Sequence, residues 1–181
     1  MSHPVSHLVS RPDRLVRTSR LVVRTAWVAN RILLVALAVG LVLSWTFSKQ
    51  FAEWILTGNP GANLQSATTG IRWLIVIGIA GSAATDRILV ALVQVIATVG
   101  AGDPFVRANA QRLQTIAWAL FVLQLLDIPG GLIGKFYPGM GSFAPSDTIS
   151  IVGWISVLMV FVLSRVFAAG SAMRDELEGT V

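Results

Sequence analysis

Residues 27–47 have the sequence WVANRILLVALAVGLVLSWTF. At 1.5 Å per residue, a helix of about 21 residues is about 31 Å long, which matches the hydrocarbon core of a bilayer. Trp27, Trp45 and Phe47 stand near the two ends, where aromatic side chains favour the membrane–water interface. The exit of the segment lacks a small-x-small cleavage pattern, so we predict an uncleaved first membrane span.

The composition of the whole chain supports a membrane protein. Of its 181 residues, 54% are hydrophobic and 13% are charged, and the mean hydropathy is +0.71. A soluble domain usually carries about 25% charged residues. The chain has no cysteine, which excludes disulfides, thiol catalysis and thiolate metal sites.

Three more apolar blocks follow the first. The block at residues 71–99 is too long for one straight crossing, so we predict a span over residues 71–90 and a continuation over residues 91–99 at or below the membrane surface. A loop is expected between the first two spans, at residues 49–70, because Gly58, Asn59, Pro60 and Gly61 are turn formers. The third and fourth spans are predicted at residues 113–128 and 149–167.

Two local signals set the predicted limits of these later spans. We expect Pro129, Gly130 and Gly131 to end the third span. Asp147 and Thr148 are expected to cap the fourth. The predicted fold is all-α, with four transmembrane helices in an antiparallel bundle.

The distribution of basic residues predicts the orientation of the four spans. Ten of the fourteen lysines and arginines fall on one side of the map and three on the other, with Arg87 undecided. Such an excess marks the cytoplasmic side. We therefore expect a bacterial inner-membrane protein with both termini in the cytoplasm, divided into a basic leader (1–26), a four-span domain (27–170) and a tail (171–181). The ten residues assigned to the cytoplasm are Arg11, Arg14, Arg17, Arg20, Arg24, Arg31, Arg107, Arg112, Arg165 and Arg174, and the three outside are Lys49, Arg72 and Lys135.

The turn between the second and third spans carries the clearest local signal, Gly100-Ala101-Gly102-Asp103-Pro104. Glycine just past a helix ends it. Aspartate at the N-cap accepts the free backbone N–H groups of the next helix, and proline suits its first turn. We therefore predict that Asp103 caps the third-span helix and that Pro104 begins it, while Phe105 packs on the end of the second span or anchors a partner.

Three ionisable residues are the candidates for a function inside the membrane: Asp86, Arg87 and Asp127. Charged groups at membrane depth are costly and often functional. Asp86 and Arg87 are adjacent, so on a helix they point about 100° apart and each needs a partner from elsewhere. The sequence leaves two placements open, at the membrane interface or in a buried relay or ion site.

Two stretches of the sequence stand out together. The first is Gly102–Val106 followed by Asn109-Ala110, Arg112-Leu113 and Ile116-Ala117-Trp118, and the second is Arg165-Val166-Phe167 followed by Gly170 and Met173–Val181. They resemble a bacterial membrane family known as domain of unknown function 2975. The resemblance implies a four-helix membrane protein without an established activity, and members of the family are often encoded beside a small helix-turn-helix transcription regulator. The leader lies outside the resemblance.

The residues of these stretches form the predicted contact surface for a cytoplasmic partner. Arg112, Arg165 and Arg174 are expected to reach lipid phosphates or to pair with acids. One hypothesis pairs the acids of the tail with the arginines of the turn, which would tie the fourth span to that turn. The candidate contact residues are Asp103, Pro104, Phe105, Asn109, Arg112, Arg165, Arg174, Asp175, Glu176 and Glu178.

The leading functional hypothesis is a membrane sensor or regulatory partner of a cytoplasmic helix-turn-helix regulator. A small transporter would need a polar path, and a structural membrane protein could form homo-oligomers through Gly78 and Gly81. An enzyme is the last choice, since no nucleophile–base pair is recognisable. No cofactor, metal site or direct nucleic-acid contact is expected, and the lipid bilayer is the one certain partner. The candidate residues for a transport path are Asp86, Arg87, Gln94, Gln124 and Asp127.

Overall fold

The computed structural model describes residues 14–58, 63–137, 140, 143–145 and 150–178. Within these residues every regular element is an α-helix. This confirms the all-α prediction. The helices are α1 (Arg14–Thr46), α2 (Ser48–Gly58), α3 (Leu64–Gly100), α4 (Arg107–Phe136) and α5 (Ile151–Glu178).

Four of the helices, α1, α3, α4 and α5, are long and apolar enough to cross a membrane. They coincide with the four predicted spans. α3 has 37 residues and is therefore about 55 Å long, well beyond a hydrocarbon core of about 30 Å. The predicted continuation of the second span is thus part of one unbroken helix.

α1 begins well before the predicted first span. Residues 14–26, assigned to the leader, continue the helix of the span without a break. The side chain of Val16 reaches Gly100 at the end of α3, so the early part of α1 packs on the same neighbour as the span itself. The rest of the leader, residues 1–13, lies outside the described residues.

α2 occupies part of the predicted loop at residues 49–70, where no helix was expected. Its apolar side chains recur at helical spacing: Ile55 is fully buried, and Phe51 packs against the same cluster as Ala67 of α3 and Ile133 of α4. A short amphipathic helix is stabilised by burying such a face rather than by its own propensity. The predicted turn at residues 59–62 lies outside the described residues.

α4 extends further than predicted at its carboxyl end. Pro129, expected to end the third span with Gly130 and Gly131, lies inside the helix. Proline removes one backbone hydrogen bond, a loss that helices in membranes tolerate when neighbouring groups hold the backbone. Ile133, four residues later, is buried with Ile55 and Met140, so packing holds the last turns in place. The prediction of a break was therefore wrong.

α5 is described from Ile151, and the preceding Ser150 accepts a hydrogen bond from the backbone N–H of Gly153 at 3.1 Å. The predicted cap at Asp147 and Thr148 lies outside the described residues. α5 continues to Glu178, eleven residues past the predicted end of the fourth span. The segment that carries the second family-like stretch is therefore an extension of the same helix.

The long helices pack in a row. α1 lies along α3, α3 along α4, and α4 along α5, while no extensive packing is seen between α1 and α5 within the described ranges. Residue numbers rise along one helix as they fall along its neighbour: Arg72 contacts Ser44, whereas Asp86 contacts Arg31. Each long helix thus packs mainly on the helix next to it in this row.

Candidate functional site

The α3–α4 turn is defined by a glycine. Gly102 has φ +83°, a conformation that residues with a Cβ rarely adopt. The N–H of Gly102 donates to the carbonyl of Val99 at 3.0 Å, and the N–H of Asp103 donates to the carbonyl of Thr98 at 3.1 Å. This pair of bonds is the Schellman motif, which ends a helix by satisfying its last carbonyls. The predicted role of glycine here is confirmed.

Asp103 does not cap α4. The helix begins at Arg107, and its N-cap residue, Val106, makes no side-chain capping bond. The carboxylate of Asp103 instead accepts a hydrogen bond from Arg174 of α5, 71 residues away. Pro104 lies in the turn and offers its carbonyl to Asn109. The prediction that Asp103 caps α4 and that Pro104 begins it was wrong. Asp103 instead forms an ion pair with Arg174 of another helix.

Phe105 packs on α5. Its ring stacks on Phe167 with centroids 5.3 Å apart. Gly170 lets the ring approach closely, because a Cβ on Gly170 would lie 3.2 Å from it. Even so, 46% of Phe105 stays exposed. The side chain is therefore both a contact between helices and part of the surface.

Asn109 is the buried centre of a hydrogen-bond network below the turn. It is fully buried, and its amide donates to Thr98 Oγ1 and to the carbonyl of Pro104, both at 2.8 Å. Its carbonyl oxygen accepts from Arg112 at 2.8 Å, and Arg112 also donates to Gln94 at 3.0 Å. The network joins α3, the turn and α4, so it sets the position of Phe105.

The two family-like stretches meet at this place. Residues near 103–112 and residues near 167–174 are far apart in the sequence, yet Phe105 stacks on Phe167 and Asp103 pairs with Arg174. Arg165, Asp175 and Glu176 are exposed on α5 nearby, and the side chain of Glu178 lies outside the described set. We define the turn cluster as Asp103, Phe105, Asn109, Arg112, Phe167 and Arg174.

An ion pair does join the fourth-span helix to the turn, but the acid lies in the turn and the arginine lies on α5. The hypothesis paired the tail acids with the arginines of the turn; among the described residues, Arg112 bonds to Gln94 and Asn109. The tie runs from Arg174 of α5 to Asp103 of the turn. Sequence reasoning missed this pair because Asp103 had already been assigned to a local capping role.

Asp86 has its partner on α1. Two nitrogens of Arg31 donate to its two carboxylate oxygens at 2.6 and 2.9 Å, a bidentate pair. The Asp86 side chain is 14% exposed and that of Arg31 is 51% exposed. Arg31 also lies over the ring of Trp27, 5.2 Å from its centroid. The sequence carried a signal for this pair, since a lone arginine inside an apolar span requires a complement on another span.

A second polar contact lies beside this pair. The Asn30 amide donates to the backbone carbonyl of Ser82 at 3.0 Å, and the Ser82 hydroxyl donates back to the Asn30 side-chain oxygen at 3.1 Å. Both residues are buried. Such reciprocal bonds between helices fix their register.

The residues of the predicted transport path are spread over several helix interfaces. Gln124 donates to the carbonyl of Ser150, between α4 and α5. Gln94 bonds to Arg112 between α3 and α4, and Asp86 pairs with Arg31 between α1 and α3. Arg87 and Asp127 are exposed, and Arg87 lines one hollow with Gln94.

The small residues predicted to serve a homodimer are used within the chain. A Cβ on Gly78 would lie 3.2 Å from Leu37 of α1, and one on Gly81 would lie 3.6 Å from Leu123 of α4. α3 therefore receives α1 on one side and α4 on the other at this level. The close approach that small residues permit joins helices of the same molecule.

Comparison with known proteins identifies the chain at the level of its family. Neither a curated protein nor a solved structure matches it. A family model described as protein of unknown function (DUF2975) matches residues 33–181. The match leaves out the early part of α1, as the resemblance did, and covers all four candidate spans at least in part. The chain is therefore a member of the DUF2975 family.

Proposed function

We propose that this protein is a membrane-embedded sensor or regulatory partner of a small cytoplasmic helix-turn-helix transcription regulator. It crosses the bacterial inner membrane four times as antiparallel spans, with both termini in the cytoplasm. The turn cluster holds the regulator and releases it when the membrane domain changes state. The observation that carries the proposal is the convergence of both family-like stretches in one half-exposed cluster.

The orientation is supported by where the basic residues gather. The start of α1, the α3–α4 turn and the end of α5 lie at one end of the row, since Val16 meets Gly100 and Asp103 meets Arg174. That end carries the arginine excess, which favours the cytoplasm. At the opposite end Arg72 bonds to Ser44 and lies over the ring of Trp45 at 4.5 Å, an arrangement suited to an outer interface.

Single cysteines test this orientation, because the natural chain has none. Ala101 in the turn and Thr57 near the end of α2 are both exposed. A membrane-impermeant maleimide is expected to label the Thr57→Cys variant in intact spheroplasts and the Ala101→Cys variant only after lysis. The reverse pattern would place the turn cluster outside the cell and end the proposal.

The turn cluster suits a switch because its contacts with α5 are weak. Asp103 and Arg174 are both about two-fifths exposed, and exposed ion pairs contribute about 0.2–1 kcal/mol. A ring pair such as Phe105 and Phe167 adds about 0.5–1.5 kcal/mol beyond its buried area. A signal or partner can therefore separate the turn from α5 for a small free energy. The hydrogen bonds of Asn109 remain formed when this happens.

The Phe105→Ala variant tests the docking role. Aromatic anchors at the centre of an interface often contribute about 2 kcal/mol or more. We expect a small helix-turn-helix regulator to co-purify with the wild-type membrane protein and to be retained about tenfold less by Phe105→Ala.

The matched control is Phe136→Ala at the far end of α4, where the side chain is 73% exposed. It should retain the regulator as the wild type does. Equal retention by the two variants, or no association of the wild type under any growth condition, would refute the docking role.

A further inference from the structure

A hollow lies between the early part of α1 and the late part of α3. Its volume is about 300 Å³, and Arg20, Arg24, Trp27, Val90 and Val93 line it together with Gln94. Arg20 and Arg24 are exposed. Within the described part of the chain, no carboxylate pairs with either of them. Two unneutralised guanidinium groups thus border a cleft whose walls are mainly apolar.

A second hollow adjoins the first on the other side of α3. Its volume is about 330 Å³. Val90 and Gln94 line both hollows, so the two form one surface across α3. The second hollow adds Arg87, which is exposed, and Arg112. We define the basic groove as these two hollows together; among the described residues that line it, four are arginines and none is acidic.

Trp27 supplies an independent sign that the groove takes a ligand. Its indole Nε1 is buried and has no hydrogen-bond acceptor among the described residues. A buried donor without an acceptor is costly, and native proteins seldom leave one unexplained. Trp27 lines the first hollow beside Arg24. A small rotation of the indole would let its N–H donate to an acceptor oxygen in this hollow, beside the two arginines.

We propose that the basic groove binds one anionic phospholipid. Its phosphate lies between Arg20 and Arg24 and accepts a hydrogen bond from Trp27, while the glycerol and first methylenes lie against Val90 and Val93. Charge complementarity favours an anion, and the apolar walls favour a lipid over a soluble phosphate. The level also fits, because Trp27 stands where the predicted first span meets the headgroups. The phosphate site at Arg20 and Arg24 lies apart from the turn cluster, which shares only Arg112 with the groove, and lipid binding there does not require the regulator.

The test uses the full chain, purified and delipidated in a mild detergent. Phosphatidylglycerol and phosphatidylcholine with the same acyl chains are titrated in, and the lipid-bound fraction is read by native mass spectrometry. We expect phosphatidylglycerol to bind about tenfold more tightly than phosphatidylcholine, and the Arg20→Gln/Arg24→Gln variant to lose about tenfold of that affinity. A control with the same charge loss, Lys49→Gln/Arg107→Gln, replaces two exposed residues outside the groove and should bind as the wild type does.

A second variant tests the same lipid site even where the arginine variant folds poorly. Trp27→Phe keeps an aromatic ring but removes the N–H, so it should weaken phosphatidylglycerol binding about threefold without lowering the thermal midpoint of the lipid-free protein. Equal lipid binding by the arginine variant and its control would overturn the site. Displacement by millimolar inorganic phosphate, or equal binding of a soluble polyglutamate peptide, would overturn the assignment to a lipid.

Discussion

Replacing Arg31 by glutamine is expected to lower the free energy of unfolding by roughly 3 kcal/mol. The substitution leaves the carboxylate of Asp86, which is 14% exposed, without its bidentate partner. Removing one member of a largely buried pair leaves an uncompensated charge, and this costs more than the pair itself contributes. In a protein of this size the loss corresponds to a fall of about 6–12 °C in the thermal midpoint.

The reciprocal substitution, Asp86→Asn, should cost less. It leaves Arg31 unpaired, but this side chain is 51% exposed and its long stem can carry the charge toward the headgroups. The double variant Arg31→Gln/Asp86→Asn should recover much of the loss, since it leaves no unpaired charge.

The wild type, the two single variants and the double variant form a double-mutant cycle. Their free energies of unfolding are measured in lipid discs with a denaturing detergent. The control is Arg165→Gln, an exposed arginine on α5, expected to stay within about 0.5 kcal/mol of the wild type. Equal losses for the two single variants, with no recovery in the double variant, would show that the pair does not carry this energy.

Replacing Asn109 by alanine is expected to cost a similar amount, roughly 3 kcal/mol. Asn109 is fully buried and makes three hydrogen bonds at 2.8 Å, one of them with the charged Arg112. Its loss removes a partner from Arg112 and from the carbonyl of Pro104, and bonds to charged groups are the stronger kind. Because the network positions the turn, the variant should also lose the regulator.

The same unfolding measurement tests this prediction against two variants. Gln111→Ala, an exposed neighbour on α4, should be nearly neutral, within about 0.5 kcal/mol. Thr98→Ala removes one hydroxyl of the network and should cost about 1 kcal/mol. If Asn109→Ala were as stable as Gln111→Ala, the network would not be what holds the turn.

The sequence predicted the residues of the candidate site better than their contacts. It marked Asp103, Phe105, Asn109, Arg112 and Arg174 through the two family-like stretches, and the structure brings all of them together. It assigned Asp103 to α4 and paired Arg112 with the tail, because capping rules and charge patterns consider only residues close in sequence. The partner that Asp103 takes is 71 residues away.

Pro129 shows the same limit in the fold. A proline with two glycines is a strong local signal for a break, and nothing near it in the sequence opposes one. What opposes it is Ile133 on the following turn, which is buried against α2 and Met140. α2 itself was missed for the related reason that an 11-residue helix depends on the surface on which its apolar face is buried.

The sequence alone determined that the chain has four apolar helices long enough to cross a membrane. It also determined which side of the four spans carries the arginine excess. These properties are sums over neighbouring residues, so hydropathy and charge counts suffice. The tertiary structure decided that the helices form a row, that Asp86 is paired with Arg31, and that the two family-like stretches become one surface. Each of these depends on atoms that only packing brings within hydrogen-bond distance, so no local pattern contains it.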